Sequence, residues 1–261
     1  MNQDVLLFET VGPVARLTLN RPRAMNALNL AILAELQLRL NEIATNDELR
    51  VLILTGTGPA FCAGADLKEV LAGASLPAGE ADFLDHCAVV FDQLRNFPKP
   101  VIAALNGITM AGGLELAMCA DMVVAAESAT IGDAHANFGV YPGAGGAAVL
   151  PRLIPLNMAM YLLMTGRSMT ATEMHACGLV CEVHSAGELA EATLELAVQI
   201  ARKSPIALRR MKEVARASAD KTRDDALQHE QVMLRKHMRS FDSLEGLQAF
   251  SEKRAPRFQG R

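Results

Sequence analysis

No interval of the 261-residue sequence offers about 18 uninterrupted apolar residues, which speaks against a membrane-spanning helix. An excess of basic charge is missing as well. Lys and Arg number 25 against 29 Asp and Glu, a formal net charge of -4, which argues against a broad nucleic-acid-binding surface. The opening residues, MNQDVLLFETVGPVARLTLNRP, reach Asp4 before any apolar run and lack the pattern of a secretory signal, so cytoplasmic residence is expected. Cys62, Cys87, Cys119, Cys177 and Cys181 form neither a CxxC pair nor a dense disulfide framework, and five is an odd number, so they read as structural or incidental thiols in preference to a metal or redox set. A GxSxG nucleophile elbow, a GxxxxGK[ST] phosphate loop and an internal repeat are all absent.

What is there suits one principal core: 51% hydrophobic and 21% charged residues in a chain short enough for a single large domain. Short β-rich runs alternate with helical patterns. VLLFE (5 to 9), VARLTLN (14 to 20) and VLILTG (51 to 56) read as strands, with a long helix within 29 to 46. Residues 80 to 97 have amphipathic helical spacing; PKPVIAALNG then turns into a buried strand before an Asn-Gly punctuation point. DMVVAA (121 to 126) reads as strand and 146 to 164 as an irregularly begun helical region. TATE (170 to 173) and SAGE (185 to 188) have the spacing of capping boxes. Beyond Ser204-Pro205 a helical pattern runs to about 238, with Pro suited to the first turn.

Two glycine-rich turns follow β-runs: AFCAGADLK (60 to 68) and NGITMAGGLELA (106 to 117). Gly64, Gly112 and Gly113 permit close backbone approach, and an amide at the start of a helix near 112 can face developing negative charge. Two such amides from separate loops would grip one thioester oxygen. Either turn alone is as readily an ordinary turn as a site.

Together, LNRPRAMNAL (19 to 28), AFCAGADLK, KPVIAALNGITMAGGLELAMCAD (99 to 121), YPGAGG (141 to 146) and EGLQAFSEKRAPRF (245 to 258) resemble the crotonase superfamily, the enoyl-CoA hydratase/isomerase family. The resemblance covers nearly the whole chain in the expected order. It implies an α/β fold: a crotonase-like spiral of ββα units over 1 to 200, followed by a helical trimerisation and CoA-contact region over 201 to 261. It further implies an acyl-CoA substrate, coenzyme A entering as part of that substrate with no tightly bound cofactor or metal, and assembly as a homotrimer or dimer of trimers. By the family's pattern the amides of Ala63 and Gly112 form the oxyanion hole. Arg23 and the segment Ala65, Asp66 and Leu67 hold the nucleotide end, while Phe250 and Lys253 reach CoA in a neighbouring active site. Lys253 and Arg254 also suit phosphate, although a terminal EKR run is otherwise a solvated charge cluster.

Glu115 lies one helical turn beyond Gly112, and the resemblance makes it the first catalytic carboxylate. The second glutamate of typical hydratases is missing, and His135 stands in its place with Asp133 two residues earlier. An imidazole exchanges protons near neutrality, so acid-base chemistry remains available. Asp133 is a candidate to orient His135 through the two-residue strand period, His86 is a secondary candidate from the preceding helix, and Tyr141 either faces the acyl group or packs as wall. His175, His184, His229 and His237 have no metal-ligand spacing and read as surface or interface residues.

The expected activity is hydration of a 2-enoyl-CoA through an oxyanion-stabilised enolate. Histidine at 135 keeps other readings open: hydrolysis of a thioester or a β-dicarbonyl carbon-carbon bond, enoyl-CoA isomerisation, or a non-enzymatic acyl-CoA-binding scaffold.

Overall fold

A computed structural model describes residues 4 to 73 and 81 to 261. Strands and helices are numbered in chain order. The strands are β1 (Leu6–Val11), β2 (Val14–Leu19), β3 (Val51–Gly56), β4 (Ala60–Cys62), β5 (Val101–Leu105), β6 (Ile108–Met110), β7 (Met122–Ala126), β8 (Thr130–Gly132), β9 (Ser168–Thr170) and β10 (Glu182–His184). The helices are α1 (Leu30–Thr45), α2 (Leu67–Gly73), α3 (Phe83–Arg95), α4 (Gly112–Ala117), α5 (Leu150–Leu153), α6 (Leu156–Thr165), α7 (Ala171–Ala176), α8 (Leu189–Ala201), α9 (Pro205–Ser218), α10 (Arg223–His237) and α11 (Phe241–Glu252).

The chain is a spiral of ββα turns. Strands β3, β5 and β7 lie side by side in a six-stranded sheet of order β1-β2-β3-β5-β7-β10, and the strand after each enters a second sheet of order β4-β6-β8-β9. Pairing within β3-β5-β7 and within β4-β6-β8 is parallel. Both faces of the large sheet are covered, which is why its strands read as continuous apolar runs. Val51 and Ile53 of β3 pack with Leu189, Ala197 and Ala201 of α8, while Leu52 and Leu54 join the larger core with α1 and α3.

Asn106 locks successive turns of the spiral together. Its Oδ1 accepts from the Gly56 amide at 3.0 Å, and its Nδ2 donates to the carbonyls of Gly58 (3.0 Å) and Ala60 (3.2 Å). A Cβ on Gly107 would lie 2.1 Å from the Pro59 carbonyl oxygen, so the Asn-Gly pair is a contact between spiral turns.

Three local readings are corrected. The helix expected over 80 to 97 runs from Phe83 to Arg95, capped by Asp82 and Asp85 in a reciprocal box; Glu80 lies outside the described residues. TATE is a capping box, with Thr170 accepting from the Glu173 amide, but SAGE is not: Ser185 bonds the Glu188 side chain at 2.6 Å, and α8 begins without a side-chain cap. The helical pattern from 205 to about 238 is two helices, because Thr222 accepts from the Asp225 amide at 3.2 Å and starts α10 afresh.

Candidate active site

Topology places the site. Because β4, β6 and β8 are parallel neighbours, their carboxyl ends lie together, and the segments leaving them, 63 to 65, 111 to 112 and 133 to 135, converge. Ligands of open parallel sheets bind at this end for the same reason.

After β4 the backbone pairs with the loop of residues 21 to 28. Leu28 donates to the Gly64 carbonyl at 2.8 Å and accepts from the Asp66 amide at 2.7 Å, a parallel bridge that turns the intervening Ala65 amide away from Leu28. Gly64 has φ +112, and a Cβ there would crowd Ala111 Cβ at 3.1 Å and the Gly112 nitrogen at 3.4 Å. After β6, Ala111 takes φ 50 and ψ -120, a strained conformation for a residue with a side chain. Gly113 pulls α4 onto β4, since a Cβ there would lie 2.0 Å from the Cys62 carbonyl oxygen. A Cβ on Gly112 would lie 3.4 Å from the Ala65 nitrogen. Among the described residues neither the Ala65 nor the Gly112 amide has an acceptor.

Helix α4 is buried, and Glu115 is only 4% exposed. A carboxylate there must be compensated by hydrogen bonds. The loop at 144 to 146 supplies them: Glu115 Oε1 accepts from the amides of Ala144 at 2.7 Å and Gly146 at 2.9 Å. Arg95, at the end of α3, donates to the Ala144 carbonyl and braces that loop from outside.

His135 begins a short 3-10 turn over His135–Phe138 after Ala134, which takes φ 58 and ψ -8. Its Nδ1 donates to Asp133 Oδ1 at 2.9 Å, the direction following from a carboxylate having only acceptors. Burial is the largest single influence on this imidazole and works against its charge. The hydrogen bond and charge of Asp133, joined by the charge of Glu115, outweigh it and raise the pKa above the ordinary 6.5. Glu115 and His135 therefore share one electrostatic environment. The buried thiols of Cys62 and Cys87 are pushed up to about 12, chiefly by desolvation, with the Glu115 charge adding to the effect at Cys87. Protonated at neutral pH, they are not nucleophiles. Among the described residues no three His, Cys, Asp or Glu side chains converge as a metal site.

This geometry can polarise a carbonyl oxygen between two amides beside a carboxylate and an imidazole. The family model for enoyl-CoA hydratase/isomerase matches residues 9 to 261. The chain belongs to the enoyl-CoA hydratase/isomerase family. YngF of Bacillus subtilis is 41% identical over 267 residues, covering 98% of this chain and 99% of YngF. A carnitinyl-CoA dehydratase of Salmonella typhi is 38% identical over 255 residues, 96% of each chain. The crystal structure of an enoyl-CoA hydratase from Bacillus anthracis aligns with a TM-score of 0.92 at 39% identity, over 98% of this chain and 100% of that one.

Within this enoyl-CoA hydratase/isomerase family member, Asp133 bonds His135 and the Glu115 charge acts on the same ring, while Ala63 does not fit the oxyanion role expected of it. The Ala63 amide donates to the Met25 carbonyl at 3.0 Å and has no hydrogen left for a substrate oxygen. Ala65 carries the amide facing Gly112. Asp66, expected in the segment near the nucleotide end, is paired with Arg21 at 2.9 Å and accepts from the Lys68 amide at 3.2 Å at the start of α2. Burial opposes its charge, but these partners together lower its pKa. Arg254 is likewise committed, to Glu245 at 2.7 and 2.9 Å and to Glu252 at 2.5 Å.

The remaining candidates stand open. Arg23, Leu67 and Lys253 are exposed, Tyr141 is 79% exposed and Phe250 87% exposed. His86 is exposed on α3, and among the described residues no hydrogen bond joins it to Glu115 or His135. Asn26 is a supporting residue that sequence reasoning missed. Fully buried, it accepts from the Arg21 amide at 2.8 Å and donates to the carbonyls of Thr57 at 2.9 Å and Ala60 at 2.7 Å. It fixes the loop that consumes the Ala63 amide, and an Asn inside LNRPRAMNAL, a turn-rich stretch, was the available signal.

Proposed function

We propose that the chain is an enoyl-CoA hydratase, adding water across the double bond of a 2-enoyl-CoA. The observation that carries this reading is the placement of Glu115 and His135 beside the two amides of Ala65 and Gly112, which have no acceptor among the described residues. Negative charge on the thioester oxygen is greater in the enolate than in the substrate. Two fixed amides therefore stabilise the transition state more than the ground state.

Glu115, with one oxygen anchored on Ala144 and Gly146, takes a proton from water through its other oxygen as the hydroxide joins the β-carbon. The electron pair of the double bond moves toward the thioester carbonyl, and protonated His135 delivers a proton to the α-carbon. Proton exchange with solvent restores both groups, and dehydration is the reverse. Addition of water is redox-neutral and calls on no bound cofactor; coenzyme A is part of the substrate.

We further assign residues 201 to 261 to homotrimer or dimer-of-trimers assembly and to CoA contact, with Phe250 and Lys253 reaching a neighbouring site and Arg23 and Leu67 near the nucleotide end. The apolar side chains Leu244, Leu247 and Phe250, exposed on α11, support that assignment. Among the described residues no helix is long and apolar enough to cross a membrane. We place the enzyme in the cytoplasm.

Incubation of the purified protein with crotonyl-CoA tests the reading. It predicts 3-hydroxybutyryl-CoA with the thioester intact, and no turnover across a panel of chain lengths and branched acyl groups would overturn it. The Asp133-His135 hydrogen bond specifically favours one second reading, a crotonase-type hydrolase in which the dyad directs water at the thioester carbonyl. Free CoA thiol and a solvent-labelled carboxylate would mark that outcome.

A further inference from the structure

We propose that Asp133 is the positioning residue that makes His135 an acid. It fixes the proton on Nδ1, leaves Nε2 for the substrate, and keeps the imidazole charged until Nε2 releases its proton to the α-carbon. The destination of that proton rests on the hydratase reading; the pairing itself does not.

Geometry carries the inference. Asp133 is 1% exposed, and its Oδ1 lies 2.9 Å from His135 Nδ1. Its Oδ2 is buried with no hydrogen-bond partner among the described residues, and a Cβ on Gly146 would come within 2.4 Å of it. A buried carboxylate whose one side-chain partner is an imidazole is compensated in full only when that imidazole is a cation. Ala134, between the two residues, adopts a left-handed conformation that non-glycine residues seldom take, and the turn it makes brings carboxylate and ring together.

Beyond the ring, the one hydrogen bond to the carboxylate among the described residues is a long one, the His135 amide donating to Asp133 Oδ1 at 3.4 Å. Glu115 on α4 adds a second negative charge felt by His135. α6, packed against the 135–138 turn, brings only Tyr161 as a titratable group, and its hydroxyl accepts from Arg167 at 3.1 Å. On the 141 to 146 loop Tyr141 is exposed; Arg95 donates to the Ala144 carbonyl and keeps its charge, but among the described residues it makes no hydrogen bond to Asp133. Asp133 and His135 are therefore one unit. A glutamate at 135 beside Asp133 would set two carboxylates against each other.

Histidine-selective NMR titration tests the pairing without reference to any reaction, with H135Q assigning the signal. In the wild type, His135 is expected to titrate above the ordinary imidazole value and to keep its proton on Nδ1 when neutral. In D133N the midpoint should fall by about one to three pH units. The alkaline limb of kcat/KM for crotonyl-CoA hydration should fall with it, with kcat reduced more than KM is changed, and D133E should recover part of the loss. H135E should be nearly inactive, and H135E/D133N more active than H135E. An unmoved midpoint in D133N overturns the proposal, as does H135E matching H135E/D133N where the wild type hydrates crotonyl-CoA. Should D133N fail to fold, the wild-type titration decides: a His135 midpoint at or below the ordinary imidazole value, or a neutral ring with its proton on Nε2, overturns the proposal. A protein that hydrates no enoyl-CoA yet shows the expected titrations would overturn the reaction while upholding the pairing.

Discussion

The two halves of the site are built differently. Glu115 sits on a buried helix and is held by two backbone amides, so its orientation depends on the path of the 144 to 146 loop. His135 sits on a turn whose next residues are exposed, and its one side-chain hydrogen bond among the described residues goes to Asp133. A group held by backbone keeps its place when neighbouring side chains change. A group held by a carboxylate takes its charge from that partner as well. The first arrangement suits a carboxylate that must repeatedly address water, the second an imidazole that must begin each cycle protonated.

Gly146 is where the halves meet, so its replacement should have the largest effect. In G146A the new Cβ would lie 2.4 Å from Asp133 Oδ2 and 2.7 Å from Pro142 Cβ, while the amide of the same residue holds Glu115. Overpacking of this kind costs about 1 to 3 kcal/mol, and hydration should fall below detection in variants that still fold by circular dichroism. E115Q separates the halves. Its amide oxygen can still accept from Ala144 and Gly146, so the melting temperature should hold while hydration kcat drops by about 10²- to 10⁴-fold.

The two adjacent glycines of α4 sharpen the contrast between chemistry and scaffold. In G112A the Cβ meets the Ala65 nitrogen and Gly64 only at ordinary contact distances, so the protein should fold, but a methyl beside the Ala65 amide should cost about 10²-fold in kcat. In G113A the Cβ would lie 2.0 Å from the Cys62 carbonyl, and thermal unfolding should show a loss of about 3 kcal/mol. The smallest effect is on stability against pH. Because the folded state raises the His135 pKa above 6.5, its contribution is fully present below that value and is lost as pH rises through the higher folded value. Denaturant titrations of wild type should weaken slightly over that interval, and those of H135Q should not.

Much of this was legible in the residues. The spacing from Gly112 to Glu115 placed the carboxylate one turn from its amide, and the apolar runs of β3, β5 and β7 read as strands of an α/β fold. Ala63 was misread because AFCAGADLK has an alanine on either side of Gly64. Only pairing with the 21 to 28 loop, distant in sequence, decides between them: the Met25 carbonyl takes the Ala63 amide, and the bridge to Leu28 turns that of Ala65 away. The break in the helical tail had a local signal, since Thr222 three residues before Asp225 is itself a capping pattern. Asp133 and His135 do meet, but through the left-handed turn at Ala134 beyond the end of β8, which a strand period does not describe.

The division of labour between the halves is tested most directly by α-proton exchange. Butyryl-CoA in deuterated water offers an α-proton and the thioester oxygen but no double bond for water to attack. At a pD above the His135 midpoint, where Nε2 is free to act as a base, wild type and E115Q should both wash deuterium into the α-position, and H135Q should not. Exchange that survives in H135Q and disappears in E115Q would contradict the assignment of His135 to the α-carbon.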